Sequence, residues 1–191
     1  MRRLLFAAPF LLALCALTAG QARAAGDFRL TSPQISDGAF LGQEQVFNGF
    51  GCTGKNVSPA LNWSNPPKGA KSFALTVYDP DAPTGSGWWH WVVFDIPAAS
   101  RSLPLQAAAA GRLPRGTVES LTDFGAPGYG GACPPPGDKP HRYIFTLYAL
   151  ATPRLDMDAT AMPAQVGFAL HALELEGKVL GKATLTARYG R

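Results

Sequence analysis

Residues 71–97 constrain the fold of this chain most, because they read as two apolar strands joined by a short Pro/Gly/Ser loop. The segment runs KSFALTVYDPDAPTGSGWWHWVVFDIP, and its side chains alternate with the period of a β-strand. The residues expected on one face are Phe73, Leu75, Val77 and Asp79 in the first strand and Trp88, His90, Val92, Phe94 and Ile96 in the second. An antiparallel hairpin would bring Asp79 and His90 to the same rim of a sheet, each at the polar end of an apolar row. Trp89 and Trp91 are expected on the opposite face, as packing residues.

A third strand is predicted over 141–150, and it repeats this pattern of a polar tip on an apolar row. The face expected to be buried carries His141, Tyr143, Phe145, Leu147 and Ala149. Arg142 falls on the other face, where we expect a structural ion pair with Asp123 or Asp95.

The remaining pattern predicts one mostly β domain over 25–191. Short strands are expected at 28–31, 45–47 and 61–63, a helix at 163–176 that begins at Pro163, and a last strand at 182–189. The 21 glycines and 17 prolines favour many turns and long ordered loops, such as 48–59 and 123–140.

Residues 1–24 are typical of a signal peptide that is removed on export. Two arginines begin the segment, an apolar run follows, and Ala22-Arg23-Ala24 matches a cleavage site. The alternative is an uncleaved membrane anchor, although the apolar run is shorter than the roughly 20 residues that a bilayer needs. Cleavage lowers the formal net charge from +4 to +1, which removes the argument for a nucleic-acid partner and leaves no expected transmembrane segment. The mature protein is therefore expected to be periplasmic or secreted.

Cleavage would also remove Cys15 and leave two cysteines, Cys52 and Cys133. In an oxidising compartment two cysteines most often form one disulfide, and we expect that bond here. The alternative is a pair of free thiols.

The polar residues that the strand pattern brings to one rim are Asp79, Asp81, His90, His141 and Tyr143. Trp88 and Pro135 would form walls beside them. An imidazole held by a carboxylate, next to a phenol and apolar walls, is a good partner for a phosphate or a carboxylate. The alternative is that each histidine is a packed residue at a strand end, but two histidines at matching strand ends favour a ligand site.

Three motifs in order resemble those of the phosphatidylethanolamine-binding protein family. They are Asp-Pro-Asp-Ala-Pro at 79–83, Trp-Trp-His-Trp at 88–91, and Pro-Pro-Gly at 135–137 followed by His-Arg-Tyr at 141–143. The loop Asn-Gly-Phe-Gly-Cys-Thr-Gly at 48–54 is similar to that of the bacterial branch called Raf-kinase-inhibitor-like, or YbhB/YbcL. The resemblance implies a β-sandwich of two antiparallel sheets, one large and one small, with short flanking helices.

The resemblance also implies a small anion pocket at one rim of the large sheet. It would accept phosphate, a carboxylate or a phospholipid head group, and its ligand-binding residues would be Asp79, Asp81, Trp88, His90, Pro135, His141 and Tyr143. Relatives carry a cis peptide bond in the first motif, which here would be Ala82–Pro83. The kinase-inhibiting role of mammalian relatives does not transfer to an exported protein.

The function expected from the sequence is therefore that of an exported, non-catalytic binding protein that needs neither cofactor nor metal. One alternative is an Asp/His hydrolase, with Ser86 or a free Cys133 as nucleophile or with Asp79, His90 and His141 on a metal. Another is a protease or kinase inhibitor that acts through its surface loops.

Overall fold

The computed structural model describes residues 26–191, so the predicted signal peptide at 1–24 lies outside the described residues. Ten strands and one helix follow one another in this part of the chain. In order they are β1 Arg29–Thr31, β2 Asn48–Gly49, β3 Cys52–Thr53, β4 Leu61–Ser64, β5 Ser72–Asp79, β6 Trp88–Pro97, β7 Ser102–Leu103, β8 Val118–Glu119, β9 His141–Leu150, α1 Pro163–Leu175 and β10 Val179–Tyr189.

The large sheet has five antiparallel strands in the order β10-β9-β5-β6-β8. The predicted hairpin forms its centre, because β5 pairs with β6 on one side and with β9 on the other. Asp79 lies opposite Trp88, and Tyr78 lies opposite Ile144. The polar ends of the three predicted rows therefore meet at one rim of this sheet.

A smaller sheet of three strands, β1-β4-β7, packs over one face of the large one. Leu30, Leu61, Trp63 and Leu103 of the small sheet share a single buried cluster with the alternate side chains of the large sheet. In β5 and β9 that buried row is the predicted one, from Phe73 to Val77 and from Tyr143 to Ala149. The predicted mostly β sandwich is confirmed, and β2 with β3 adds a two-stranded ribbon.

The helix α1 covers the opposite face of the large sheet. It begins at Pro163, as predicted, and buries Val166 and Leu170 against Val92 and Phe94 of β6. Among residues 26–191 it is the single helix, whereas the family resemblance implied several short ones. None of the helical structure in this range is both long enough and apolar enough to cross a membrane.

Two local predictions were wrong. Residues 45–47 form no strand, because their backbone groups bond to neighbouring loops: Phe47 N–H donates to Ala132 C=O at 3.0 Å, and Gly54 N–H to Phe47 C=O at 2.9 Å. Val92 and Phe94 lie on the helix face and Trp91 lies in the sandwich core, the reverse of the predicted alternation. The reason is an irregularity in β6 beside His90.

Candidate functional site

A cavity of about 210 Å³ opens at the rim where β5, β6 and β9 meet. Six of the seven predicted ligand-binding residues line it, and Asp81 does not. The full lining consists of Phe50, Asp79, Ala82, Pro83, Thr84, Trp88, His90, Phe124, Cys133, Pro134, Pro135, His141 and Tyr143.

His90 reaches the cavity because β6 carries one extra residue at this point. Val77 pairs with Trp91 and Tyr78 pairs with Trp89, so His90 has no partner in β5. A β-bulge of this kind re-aims a side chain relative to strict alternation. Without it, a histidine next to the core residue Trp91 would point toward the helix face.

The environment of His90 fixes which of its nitrogens carries the proton. Its Nδ1 lies 2.7 Å from the carbonyl oxygen of Gly130, and since a carbonyl accepts and never donates, Nδ1 carries the hydrogen. No hydrogen bond to Nε2 is found within residues 26–191. Burial lowers the pKa of His90 from 6.5 to about 4, while the carbonyls of Gly130 and Gly131 and the charge of Asp79 oppose that shift. The ring is therefore neutral at pH 7.

Gly130 packs too tightly for any other residue. A Cβ there would lie 2.1 Å from the ring of Phe124, and the backbone N–H of Gly130 also donates to the carbonyl of His90 at 2.8 Å. The loop beside His90 therefore requires glycine at position 130.

His141 and Asp79 form a buried pair on the other side of the cavity. Nδ1 of His141 donates to Oδ2 of Asp79 at 2.7 Å, and both side chains are at least 95% buried. The other oxygen of Asp79 accepts the backbone N–H of Asp81 at 2.8 Å. Nε2 of His141 lies 3.4 Å from a carboxylate oxygen of Asp138, a neighbour that the sequence pattern did not identify.

Tyr143 brings a hydroxyl group that has no partner in the protein. The residue is 2% exposed and its hydroxyl oxygen is buried without a hydrogen bond. Its ring meets that of His90 edge to face, with centroids 5.0 Å apart. Burial and the nearby charge of Asp79 raise the pKa of Tyr143, so the hydroxyl stays protonated and can donate.

Asp81 faces away from the cavity and pairs with Arg142. Nε and Nη2 of Arg142 donate to Oδ2 and Oδ1 of Asp81 at 2.8 and 2.7 Å, and the backbone N–H of Arg142 donates to Oδ2 at 2.9 Å. The hydrogen bonds from Arg142 lower the pKa of Asp81 to about 2. The expectation of Asp123 or Asp95 as the partner of Arg142 was therefore wrong. Asp123 instead accepts the backbone N–H of Trp89, and Asp95 accepts that of Leu155.

The loop between β5 and β6 contains no cis peptide bond, so the expectation of a cis bond at Ala82–Pro83 was also wrong. The chain turns instead through glycines with positive φ, Gly85 at 77° and Gly87 at 70°. A Cβ on Gly87 would lie 2.2 Å from the hydroxyl of Tyr78, so this turn also needs a glycine for space.

Aromatic rings from two Gly-rich loops close the apolar side of the cavity, and sequence reasoning missed them. Phe50 stacks on Phe124 with ring centroids 5.9 Å apart, and Phe124 meets Trp88 edge to face at 5.5 Å. Phe50 is 67% exposed and has a φ of 53°, which is unusual for a bulky residue. The density of turn residues around 50 and 124 predicted long loops there, but not that their aromatic side chains meet.

The predicted disulfide is confirmed, since Cys52 and Cys133 are bonded. It joins the loop that carries Phe50 to the Cys133–Pro135 wall of the cavity. Arg191 adds a second link between the same loops by donating to Pro134 C=O at 2.7 Å and to Phe50 C=O at 3.1 Å. No sequence signal pointed to Arg191.

Within the described part of the chain, no group of three or more His, Cys, Asp or Glu side chains is arranged to hold a metal ion. The polar side chains of the cavity lining are those of His90, Tyr143 and Thr84 and the paired Asp79 and His141, and the other lining residues are apolar.

A family model and several known proteins are similar to this chain. The family model described as phosphatidylethanolamine-binding protein matches residues 31–190. The UPF0098 protein YbcL of Escherichia coli K12 is 53% identical over 150 residues, which cover 78% of this chain and 82% of YbcL. YbhB of the same organism is 48% identical over 163 residues, which cover 84% of this chain and 99% of YbhB.

A solved structure and a mycobacterial relative extend the comparison. The crystal structure of E. coli YbcL, described as a new member of the mammalian PEBP family, superposes with a TM-score of 0.81 and covers 87% of this chain and 99% of that one. Its sequence identity in the superposition is 48%. A Mycobacterium tuberculosis protein whose name classes it as a lipoprotein, LppC, is 41% identical over 129 residues, which cover 68% of this chain and 58% of LppC.

Proposed function

The chain belongs to the phosphatidylethanolamine-binding protein family, and from that premise we propose that it is an exported, non-catalytic binding protein for a small oxyanion. The ligand occupies the rim cavity as a phosphate, a carboxylate or the head group of a phospholipid. Through that ligand the protein acts on a membrane component or modulates a partner protein.

The observation that carries the proposal is the hydroxyl group of Tyr143. Tyr143 lines the cavity, and its hydroxyl is buried without a partner among residues 26–191. Leaving a buried polar group without a hydrogen bond costs about 1–3 kcal/mol, so such a group at a cavity is an indication of a missing ligand. Nε2 of His90, in β6, is a second polar atom without a partner among residues 26–191.

The other predicted residues take supporting roles in this proposal. Trp88 and Pro135 form apolar walls that exclude water and so strengthen the hydrogen bonds to the ligand. Asp79 holds the ring of His141 in place. Asp81 acts indirectly, since its pairing with Arg142 fastens the loop that follows Asp79 to β9.

Binding is favoured over catalysis by the state of the candidate nucleophiles. Cys133 is used in the disulfide and has no free thiol, and Ser86 lies outside the cavity lining. Export is supported by the disulfide, which is typical of oxidising compartments, and by a relative whose name classes it as a lipoprotein. We propose that the mature protein is periplasmic or secreted.

Isothermal titration with inorganic phosphate and with phosphorylethanolamine tests the proposal. The wild type should bind one of them weakly, with a dissociation constant on the order of 1 mM. Tyr143→Phe should raise that constant roughly 10- to 100-fold, because a hydrogen bond to a charged group contributes about 1.5–3 kcal/mol. The free energy of unfolding of this variant should not fall and should rise by up to about 1–3 kcal/mol, since the lost hydroxyl was buried without a protein partner.

Tyr129→Phe is the matched control. Tyr129 is also buried, but its hydroxyl donates to the carbonyl of Gln45 at 3.0 Å and the residue does not line the cavity. This variant should lose about 1 kcal/mol of stability and keep the anion affinity. If Tyr143→Phe binds the anion as tightly as the wild type does, the assignment of the anion site to the rim cavity is wrong.

A further inference from the structure

Among the lining residues of the cavity, His90 brings a hydrogen-bond acceptor, Nε2, that is without a donor among residues 26–191. The hydrogen of this ring is on Nδ1, where the carbonyl of Gly130 accepts it at 2.7 Å. Nε2 therefore carries a lone pair, on a ring that lines the cavity, and needs a donor. Since burial lowers the pKa of His90 to about 4, the ring stays in this neutral form across the working pH range.

The donor that the cavity supplies comes from β9, which is separated from the strand of His90 by β5. Tyr143 keeps its proton because burial raises its pKa, and no hydrogen bond joins its hydroxyl to His90. A ligand that accepted from Tyr143 but had no hydrogen of its own would leave Nε2 facing an anionic oxygen. Two electron-rich atoms in contact would repel each other.

The charges around the cavity also disfavour a fully ionised ligand. None of the lining residues is a lysine or an arginine, and the walls are mostly aromatic rings and prolines. The imidazole of His141 is already paired with the buried carboxylate of Asp79. A dianion would bring two further negative charges into this apolar space without a compensating cation, which is costly.

We propose that the rim cavity selects an oxyacid that still carries one acidic proton, such as the monoanion of a phosphate monoester. The ligand donates its O–H to Nε2 of His90 and accepts the hydroxyl of Tyr143 with another oxygen. This inference rests on the proposed function and narrows the ligand class. No covalent step is involved, and the proton stays on the ligand.

Other titratable groups face the same space and require a control. Asp79 belongs to β5, His141 and Tyr143 belong to β9, and Asp138 contacts His141 from the preceding loop. Their titration would change the affinity for any monoanion to the same degree. Two monoanions that differ only in the acidic proton therefore separate the effect of that proton from theirs.

Methyl phosphate and methyl sulfate are such a pair, and isothermal titration of each at pH 5.5 and pH 8 tests the proposal. A phosphate monoester loses its last proton with a pKa of about 6, whereas methyl sulfate carries one charge and no acidic proton throughout. Methyl phosphate should bind roughly 80-fold more weakly at pH 8, in proportion to its monoanion fraction. Methyl sulfate should bind at least about tenfold more weakly than methyl phosphate at pH 5.5.

Methyl sulfate that binds as tightly as methyl phosphate at pH 5.5 would overturn the inference and leave the oxyanion pocket intact. An affinity for methyl phosphate that is the same at both pH values would overturn it as well. If neither compound binds at either pH, the proposed function fails together with the inference.

Discussion

His90 shows how a single inserted residue decides what the site can do. The β-bulge turns its ring from the helix face to the cavity, and the carbonyl of Gly130 then sets its tautomer. Because the ring of His90 is buried, it stays neutral in the folded protein. The free energy of unfolding therefore depends on pH.

We expect folding to lose stability in acid because of His90. Its pKa is about 4 in the folded protein and 6.5 when unperturbed, so between these values the unfolded chain binds the proton and the folded protein does not. The stabilisation is complete above about pH 6.5 and is lost as the pH falls toward 4. Urea unfolding at pH 7 and pH 4.5 should show a loss of about 2–3 kcal/mol that His90→Gln lacks.

The comparison with His90→Gln isolates this effect from other groups. Burial raises the pKa values of Glu119 and Asp95, and these carboxyl groups contribute in the opposite direction in both proteins. A wild type and a variant with the same acid-induced loss would show that His90 is not buried in its neutral form.

The sequence could predict which residues come to the rim, but not how His90 gets there. Alternation correctly placed Asp79, His141 and Tyr143, since β5 and β9 are regular near the cavity. In β6 it predicted the wrong face for Val92 and Phe94. Bulges depend on the pairing of two strands and on the loop that packs beside them, so the spacing within one strand does not reveal them.

At the scale of elements, the cavity is built by the large sheet together with loops that extend beyond its rim. Phe50 lies at the turn of the ribbon formed by β2 and β3, and the wall at Pro134 lies outside any strand. The disulfide and Arg191 join the two. Since the ribbon has only two short strands, these links help to determine the shape of the cavity mouth.

Removal of the disulfide should therefore weaken both folding and binding. The double variant Cys52→Ala, Cys133→Ala is expected to lose about 2–4 kcal/mol of unfolding free energy, because the bond spans 81 residues of sequence. Its affinity for phosphate should fall as well, since the wall beside Tyr143 is no longer held. Urea unfolding and phosphate titration measure the two effects.

Reducing agent gives the matched control for this variant. It should destabilise the wild type to the level of the double variant and leave the variant unchanged. A wild type whose unfolding curve is the same with and without reductant would contradict the role given to the bond.

Of the contacts that the loops make, the sequence could predict the disulfide but not the others. The two remaining cysteines were enough to predict the disulfide, because pairing follows from the compartment and the count. The stacking of Phe50 on Phe124 was not predictable, since it joins residues 74 positions apart in loops without periodicity. The partner of Arg142 was missed for the same reason.

At the scale of the whole molecule, the two faces of the large sheet are buried by different layers. One face packs on the small sheet and the other on α1, so the side chains at the rim have little remaining room to move. The alternating rows and the family motifs predicted this sandwich. A rigid rim of this kind holds His90 and Tyr143 at a fixed separation before any ligand arrives, which reduces the entropic cost of binding.

A crystal structure of the protein grown in phosphate near pH 6 tests the central claim most directly. We predict one phosphate ion in the rim cavity, with one oxygen about 3 Å from the hydroxyl of Tyr143 and another about 3 Å from Nε2 of His90. A phosphate ion bound instead in the polar groove lined by Lys139 and Arg188, with the rim cavity empty, would contradict it.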